Sequence, residues 1–211
     1  MTAILFDLDG TLLNTLDDLA DAVNVTLPHF GCPPRTREQV RQFVGNGAER
    51  LIRLALPGKA SDPPVGEALA YFKDYYAANA QHKTCPYAGI PEALAEIGKM
   101  FPIAIVSNKP DRAVKVLCSQ HFGDVYALGE SSDCPRKPAP DMVHKAMASI
   151  GAEKCIYVGD SEVDVETAKN AGVPCLSVLW GFRDRQTLEK AGADHFCQAP
   201  ADLLKTLKEM I

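Results

Sequence analysis

The amino-acid sequence predicts an α/β fold, a doubly wound, Rossmann-like parallel sheet that carries a small inserted all-helical domain. Three observations predict it. Short apolar runs rich in β-branched residues recur without polar alternation, as in strands covered on both faces. Helical patterns separate most of these runs, as parallel crossovers require. One long interval, residues 14–84, has helical patterns and no convincing strand.

The first run, residues 3–6, is closed by Asp7-Leu8-Asp9-Gly10-Thr11. The second, 103–106, is closed by Ser107-Asn108, and a weaker run at 125–128 precedes Lys137. Residues 156–158 end in Gly159-Asp160, and 175–179 end in Trp180-Gly181. Helical stretches at 111–121, 140–150, 163–171 and 185–191 lie between or after them. Ligands of doubly wound sheets sit beyond the carboxyl ends of the strands. The unusual polar residues of this chain fall at those ends, which points to one site. The interval 14–84 holds helical patterns at 16–30, 37–55 and 65–82, punctuated by Pro33-Pro34 and by the stretch 57–64. The expected division is a core of residues 1–13 and 85–211 and a helical cap of 14–84.

The composition is that of an ordinary soluble protein, with 46% hydrophobic and 23% charged residues. A net charge of −5 with no basic stripe argues against a nucleic-acid partner, although a local site can still be positive. Seven scattered cysteines without a C-x-x-C pair fit reduced packing thiols and a cytoplasmic location. The first residues carry no basic segment and no long apolar stretch, so neither a signal peptide nor a membrane association is expected.

Asp7 and Asp9 are two apart at a strand end, so extended geometry turns both carboxylates toward one cavity. Two carboxylates brought together need a cation or a proton. Gly10 permits a sharp turn and offers amides for an anion. Asp160 and Asp164, four apart at the start of a helical stretch, share a face. With Asp7 they make an oxygen-rich cluster suited to magnesium. Ser107 and Asn108 offer a hydroxyl and amides, and Lys137, held between Arg136 and Pro138, offers a fixed ammonium. Each element has a bland alternative: an Asp-Gly turn, a helix cap at Asp160-Ser161, a Ser-Asn turn or a solvated lysine.

The four segments together decide between these alternatives. Asp7-x-Asp9-Gly10-Thr11, Ser107-Asn108, Lys137-Pro138 and Gly159-Asp160-Ser161-x-x-Asp164 resemble, in order, the four motifs of the haloacid dehalogenase superfamily. Phe43-Val44-Gly45-Asn46-Gly47-Ala48, the segment 86–94 and Trp180-Gly181-Phe182-Arg183 are similar to its phosphoglycolate phosphatase-like branch. The resemblance implies a magnesium-dependent phosphate-monoester hydrolase with Asp7 as nucleophile and Asp9 as general acid and base. It implies a metal held by the Asp7 and Asp160 carboxylates and the Asp9 carbonyl, with Asp164 one step behind. It also implies that Gly10, Ser107, Asn108 and Lys137 meet the phosphate.

In the cap, Asn46, Gly47 and Arg50 are the candidate substrate residues, and Arg183 is a fourth. Either arginine would suit the carboxylate of a small phosphorylated acid such as 2-phosphoglycolate, or would serve only in a surface ion pair. A sugar phosphomutase resembling β-phosphoglucomutase, or a pyrophosphatase or nucleotidase of similar build, shares the same motifs. The expected partner is a small phosphate ester, and the expected state is a monomer or homodimer.

Overall fold

Neighbouring residues of the first apolar run bury in different cores, and this sets the layers of the molecule. In strand β1 (Thr2–Phe6), Ile4 and Phe6 join one apolar cluster, while Ala3 and Leu5 join another. Such a strand must be covered on both faces. The other strands are β2 (Leu13–Asn14), β3 (Cys85–Pro86), β4 (Ile103–Pro110), β5 (Tyr126–Glu130), β6 (Lys154–Gly159), β7 (Cys175–Val178) and β8 (His195–Cys197). Six of these form a parallel sheet in the order β5-β4-β1-β6-β7-β8. The computed structural model describes residues 1–58 and 63–211, and it divides into two units, Met1–Asn14 with Pro86–Ile211 and Thr15–Cys85.

The helices of the chain are α1 (Leu16–His29), α2 (Arg37–Phe43), α3 (Gly47–Ala55), α4 (Val65–Asn79), α5 (Ile90–Gly98), α6 (Asp111–Phe122), α7 (Asp141–Ser149), α8 (Glu162–Ala171), α9 (Arg185–Ala191) and α10 (Leu203–Met210). On one sheet face α5, α6 and α10 place Ile90, Val114 and Leu207 against Ile4, Phe6 and Ile105. On the other, α7 and α8 place Met142, Val143 and Ala168 against Leu5, Val106 and Tyr157. Each fully buried aliphatic or aromatic side chain contributes roughly 1.5–3 kcal/mol relative to its exposed state. The position of β1 matters most for function. From it the chain winds to β4 and β5 on one side, then crosses to β6, β7 and β8 on the other. The strand ends around β1 therefore form the topological switch point, where such sheets bind ligands.

The second unit contains α1–α4. Asp18 is buried there and accepts hydrogen bonds from the amides of Lys83 and Thr84 and from the Thr84 hydroxyl. Asn24 clasps the main chain of Arg35 in both directions. Two readings of the sequence need correction in this unit. The pattern at 37–55 is two helices, because Val44 is extended and Gly45 and Gly47 take φ of 122° and 78°. The pattern at 65–82 stops at Asn79. Residues 59–62 of the proline-punctuated stretch lie outside the described residues.

In the first unit β4 continues to Pro110, past the expected end at 106, with a register shift between Val106 and Pro110. Strand β8 and helix α10 are additions, for three apolar-to-polar residues are too short to read as a strand. Among the described residues, no helix is long and apolar enough to cross a membrane. All seven cysteines are free thiols.

Candidate active site

Four strand ends deliver the polar residues. Asp7 follows β1, and its amide donates to the Val158 carbonyl at 2.8 Å, which extends the pairing with β6. Its carboxylate is buried and meets Lys137, which is only 2% exposed. The Lys137 ammonium donates to Asp7 Oδ1 at 2.7 Å, to Asp164 Oδ1 at 2.8 Å and to the Tyr157 hydroxyl at 3.1 Å. All three donor positions of the ammonium are thus occupied. The main chain of Lys137 is fixed as well, because its amide donates to Asn108 Oδ1 at 2.7 Å and its carbonyl accepts from Asn108 Nδ2 at 2.9 Å.

Asp164 uses both oxygens on protein groups. Oδ2 accepts from the Ser161 hydroxyl at 2.6 Å and amide at 3.1 Å, closing a capping box at the start of α8. Oδ1 takes Lys137. The carboxylate is buried rather than solvated in a first helical turn. Asp160, just before that cap, accepts from the Phe182 amide at 2.6 Å and from the Thr11 hydroxyl at 3.4 Å. Space for it is cleared by glycines. A Cβ on Gly181 or on Gly10 would overlap the Asp160 carboxylate, and Gly10 also sits at φ 90°.

Asp9, two residues after Asp7, meets a different cation. Lys109 donates to both its oxygens, at 2.8 and 2.9 Å. The lysine side chain is 3% exposed and that of Asp9 is 17% exposed. Ser107 and Lys109 are two apart in β4, and the Ser107 hydroxyl accepts the Lys109 amide at 3.2 Å.

The electrostatics follow from burial with few cations. Burial pushes the Asp7 carboxyl up to about 7, against the pull of Lys137 and with the help of Asp164 and Asp9. Burial raises Asp160 well above the carboxylate range, and the Asp164 and Asp7 charges add to that. For Lys137 burial works against the charge, but Asp164 and Asp7 outweigh it and hold the ammonium well above its ordinary range. Burial likewise lifts Tyr157.

A hard cation fits this set. Oxygens of Asp7, Asp160 and Asp164 all lie within 4.8 Å of one another. Lys137 contacts two of those acids, and Asp160 accepts from the Phe182 amide and the Thr11 hydroxyl, with the Arg183 charge acting on it as well. Buried carboxylates in excess of cations bind protons or a metal, and an all-oxygen set suits magnesium over zinc or copper.

The structure brings together Asp7, Asp9, Gly10, Ser107, Asn108, Lys137, Asp160 and Asp164, and it changes several expected tasks. The Asn108 side chain braces Lys137 rather than offering itself to an anion. The Gly10 amide donates to the Leu13 carbonyl at 2.8 Å and is spent on the turn. Arg183 is bound to Glu162, at 2.7 and 3.3 Å. In the other unit, Asn46 precedes α3, Gly47 opens it and Arg50 is exposed on it. Sequence reasoning missed Lys109 and Tyr157. Lys109 directly follows Ser107-Asn108, and two-residue alternation along β4 was the signal for it. Tyr157 is hidden inside an apolar run.

Comparison with known proteins agrees with this geometry. The model of the family described as haloacid dehalogenase-like hydrolase matches residues 4–178. A phosphoglycolate phosphatase of Pseudomonas putida is 36% identical over 197 residues, covering 88% of this chain and 72% of that protein. A phosphoglycolate phosphatase of Vibrio parahaemolyticus is 32% identical over 218 residues, covering 97% and 95%. The solved structure of a protein provisionally assigned as a phosphoglycolate phosphatase from Lactobacillus delbrueckii subsp. bulgaricus superposes with a TM-score of 0.89 at 34% identity, covering 97% of each chain. With its fold, its four strand-end motifs and these relatives in agreement, the chain belongs to the haloacid dehalogenase-like hydrolase family.

Proposed function

We propose that this protein is a magnesium-dependent phosphatase that hydrolyses a small phosphorylated acid such as 2-phosphoglycolate through an aspartyl-phosphate at Asp7. One observation carries the reading. A buried carboxylate at the switch point is gripped through one oxygen by a fully engaged lysine, and no hydrogen bond to its other oxygen is found among the described residues. That second oxygen is the nucleophile. The substrate class comes from the curated relatives, which are named phosphoglycolate phosphatases.

Magnesium would be held by the Asp7 and Asp160 carboxylates and the Asp9 carbonyl, where it would neutralise phosphate charge. The protein's own groups do the rest. Lys137 fixes the Asp7 carboxylate and sets a positive charge beside the transferring group. Asp7 forms a bond to phosphorus as the bond to the ester oxygen breaks. The departing electron pair goes to that oxygen, which takes a proton from Asp9. Asp9 then accepts the proton of the water that attacks phosphorus, and the Asp7–phosphorus bond breaks to release inorganic phosphate. Ser107 and the amides around Leu8 and Asp9 hold the phosphoryl oxygens. Asn46, Gly47 and Arg50 belong to the helical unit, whose role is substrate choice.

A panel of phosphate monoesters assayed with magnesium tests the substrate, and acid-stable capture of phosphate on Asp7 under rapid quench tests the intermediate. 2-Phosphoglycolate giving the highest kcat/KM is the expected result. A preference for sugar phosphates or nucleotides overturns the substrate and leaves the Asp7 chemistry standing.

A further inference from the structure

The segment Trp180-Gly181-Phe182, shortly after β7, has no part in the reaction proposed above, yet it closes on one acid of the cation site. The Phe182 amide donates to Asp160 Oδ2 at 2.6 Å. Gly181 makes that approach possible. Its φ is not positive, so the backbone conformation alone does not demand glycine. The close contact does. A Cβ on Gly181 would lie 2.3 Å from Asp160 Cβ, 2.4 Å from Oδ2 and 2.6 Å from Cγ, and these are its three nearest atoms. Gly10, in the loop after β1, approaches the same oxygen, since a Cβ on it would lie 2.3 Å from Oδ2. Trp180 acts through another group. Its indole N–H donates to the Thr11 carbonyl at 2.9 Å, and the Thr11 hydroxyl donates to Asp160 Oδ1 at 3.4 Å. Oδ2 is thus crowded by main chain and gripped by a short bond, whereas the bond to Oδ1 is long and weak. Arg183, next in the chain, acts on Asp160 through its charge and is itself bound to Glu162.

We propose that Trp180-Gly181-Phe182 is a positioning element of the metal site, which grips Asp160 through Oδ2 and so presents Oδ1 to magnesium. The inference rests on the reading of Asp160 as a magnesium ligand. A carboxylate that can rotate about its last torsion gives up that freedom when it binds a cation. Here the rotation is already stopped, because it would break the Phe182 bond and drive the carboxylate into Gly10 or Gly181. The arrangement is therefore formed before the cation arrives, which favours binding. Each residue has its own share of the task. Phe182 supplies the amide, Gly181 supplies the room, and Trp180 ties the turn to the loop that follows Asp7. Partners that orient a metal ligand in this way typically contribute 10- to 100-fold in metal affinity.

The test titrates magnesium chloride into the metal-free protein by isothermal titration calorimetry, without substrate. In Gly181→Ala the new Cβ meets Asp160 first, and Kd for magnesium is expected to rise by about 10- to 100-fold. Trp180→Phe, which keeps an aromatic ring and loses the indole N–H, raises Kd by a smaller factor that still exceeds about threefold. A merely structural role would lower the Tm of the metal-free protein and the number of sites titrated, while Kd of the folded fraction stayed that of wild type. A folded Gly181→Ala protein with Kd within about threefold of wild type overturns the inference. If Gly181→Ala fails to fold by circular dichroism, the same limit is applied to Trp180→Phe. Asp160→Asn separates the inference from the reading beneath it, and its Kd should rise at least as far as that of Gly181→Ala. An Asp160→Asn protein that binds magnesium as wild type does overturns Asp160 as a metal ligand, and this inference falls with it.

Discussion

The two buried lysines at the strand ends, Lys137 and Lys109, are held differently. Lys137 has its ammonium divided among Asp7, Asp164 and Tyr157 and its main chain clasped by Asn108. Lys109 meets a carboxylate that is itself partly exposed. The first arrangement resists any change of partner, since releasing one acid leaves others in place. The second pairs with Asp9 through both carboxylate oxygens. The first therefore fits the proposed role of a fixed charge beside the transferring phosphoryl group.

The largest effects should come from breaking the fixed side. Asp7→Asn is expected to lower kcat by about 10⁴-fold or more, the order seen when a nucleophile is removed, while circular dichroism shows a native fold. Substantial hydrolysis by a folded Asp7→Asn enzyme removes the covalent mechanism. Lys137→Met leaves Asp7 and Asp164 without their shared cation, and breaking such a buried pair costs about 3–5 kcal/mol. Urea denaturation should report that loss, larger at pH 8 than at pH 6, because protonation relieves the stranded Asp7 carboxylate. A loss independent of pH would show that Lys137 acts through packing alone.

Magnesium should sharpen the comparison through its protons. Asp7 stands at about 7 in the folded protein, against 3.8 without the fold, and Asp160 is also raised. Between these limits the folded chain holds protons that the unfolded chain has released. Stability of the metal-free protein therefore falls as pH rises from about 4 to about 7. A cation that displaces these protons binds more tightly as pH rises, so magnesium should raise Tm more at pH 8 than at pH 6. Differential scanning fluorimetry measures this. An equal shift at both pH values would place the bound metal away from these acids.

How much of this was legible in the sequence follows the same physical division. The parallel sheet was readable because its strands are covered on both faces and so appear as unbroken apolar runs. Short β8 and α10 offered too few residues for a period, and Gly45 and Gly47 broke a helix that the apolar spacing carried through 37–55. The acids at the strand ends stood out because a carboxylate closing an apolar strand is unusual. Lys109 and Tyr157 did not, because a lysine after a turn-like Ser-Asn and a tyrosine in an apolar run each have a commoner explanation. Arg183 stood out for its charge, but its partner Glu162 lies 21 residues away in sequence.

That arginine gives the smallest expected effect and a direct check on the comparison. Its pair with Glu162 joins a side chain that is 12% exposed to one that is 43% exposed, and partly solvated pairs of this kind are worth about 0–1 kcal/mol. Glu162 already occupies one two-pronged edge of the guanidinium, that of Nε and Nη2. A substrate using that edge would have to displace it, and Glu162 has no task in the proposed reaction that draws it away. Arg183→Gln should accordingly raise KM for 2-phosphoglycolate by less than about threefold, and by a similar factor for p-nitrophenyl phosphate. Steady-state kinetics on the two substrates decide it. A tenfold or larger rise, about 1.4 kcal/mol, confined to phosphoglycolate would make Arg183 the carboxylate handle.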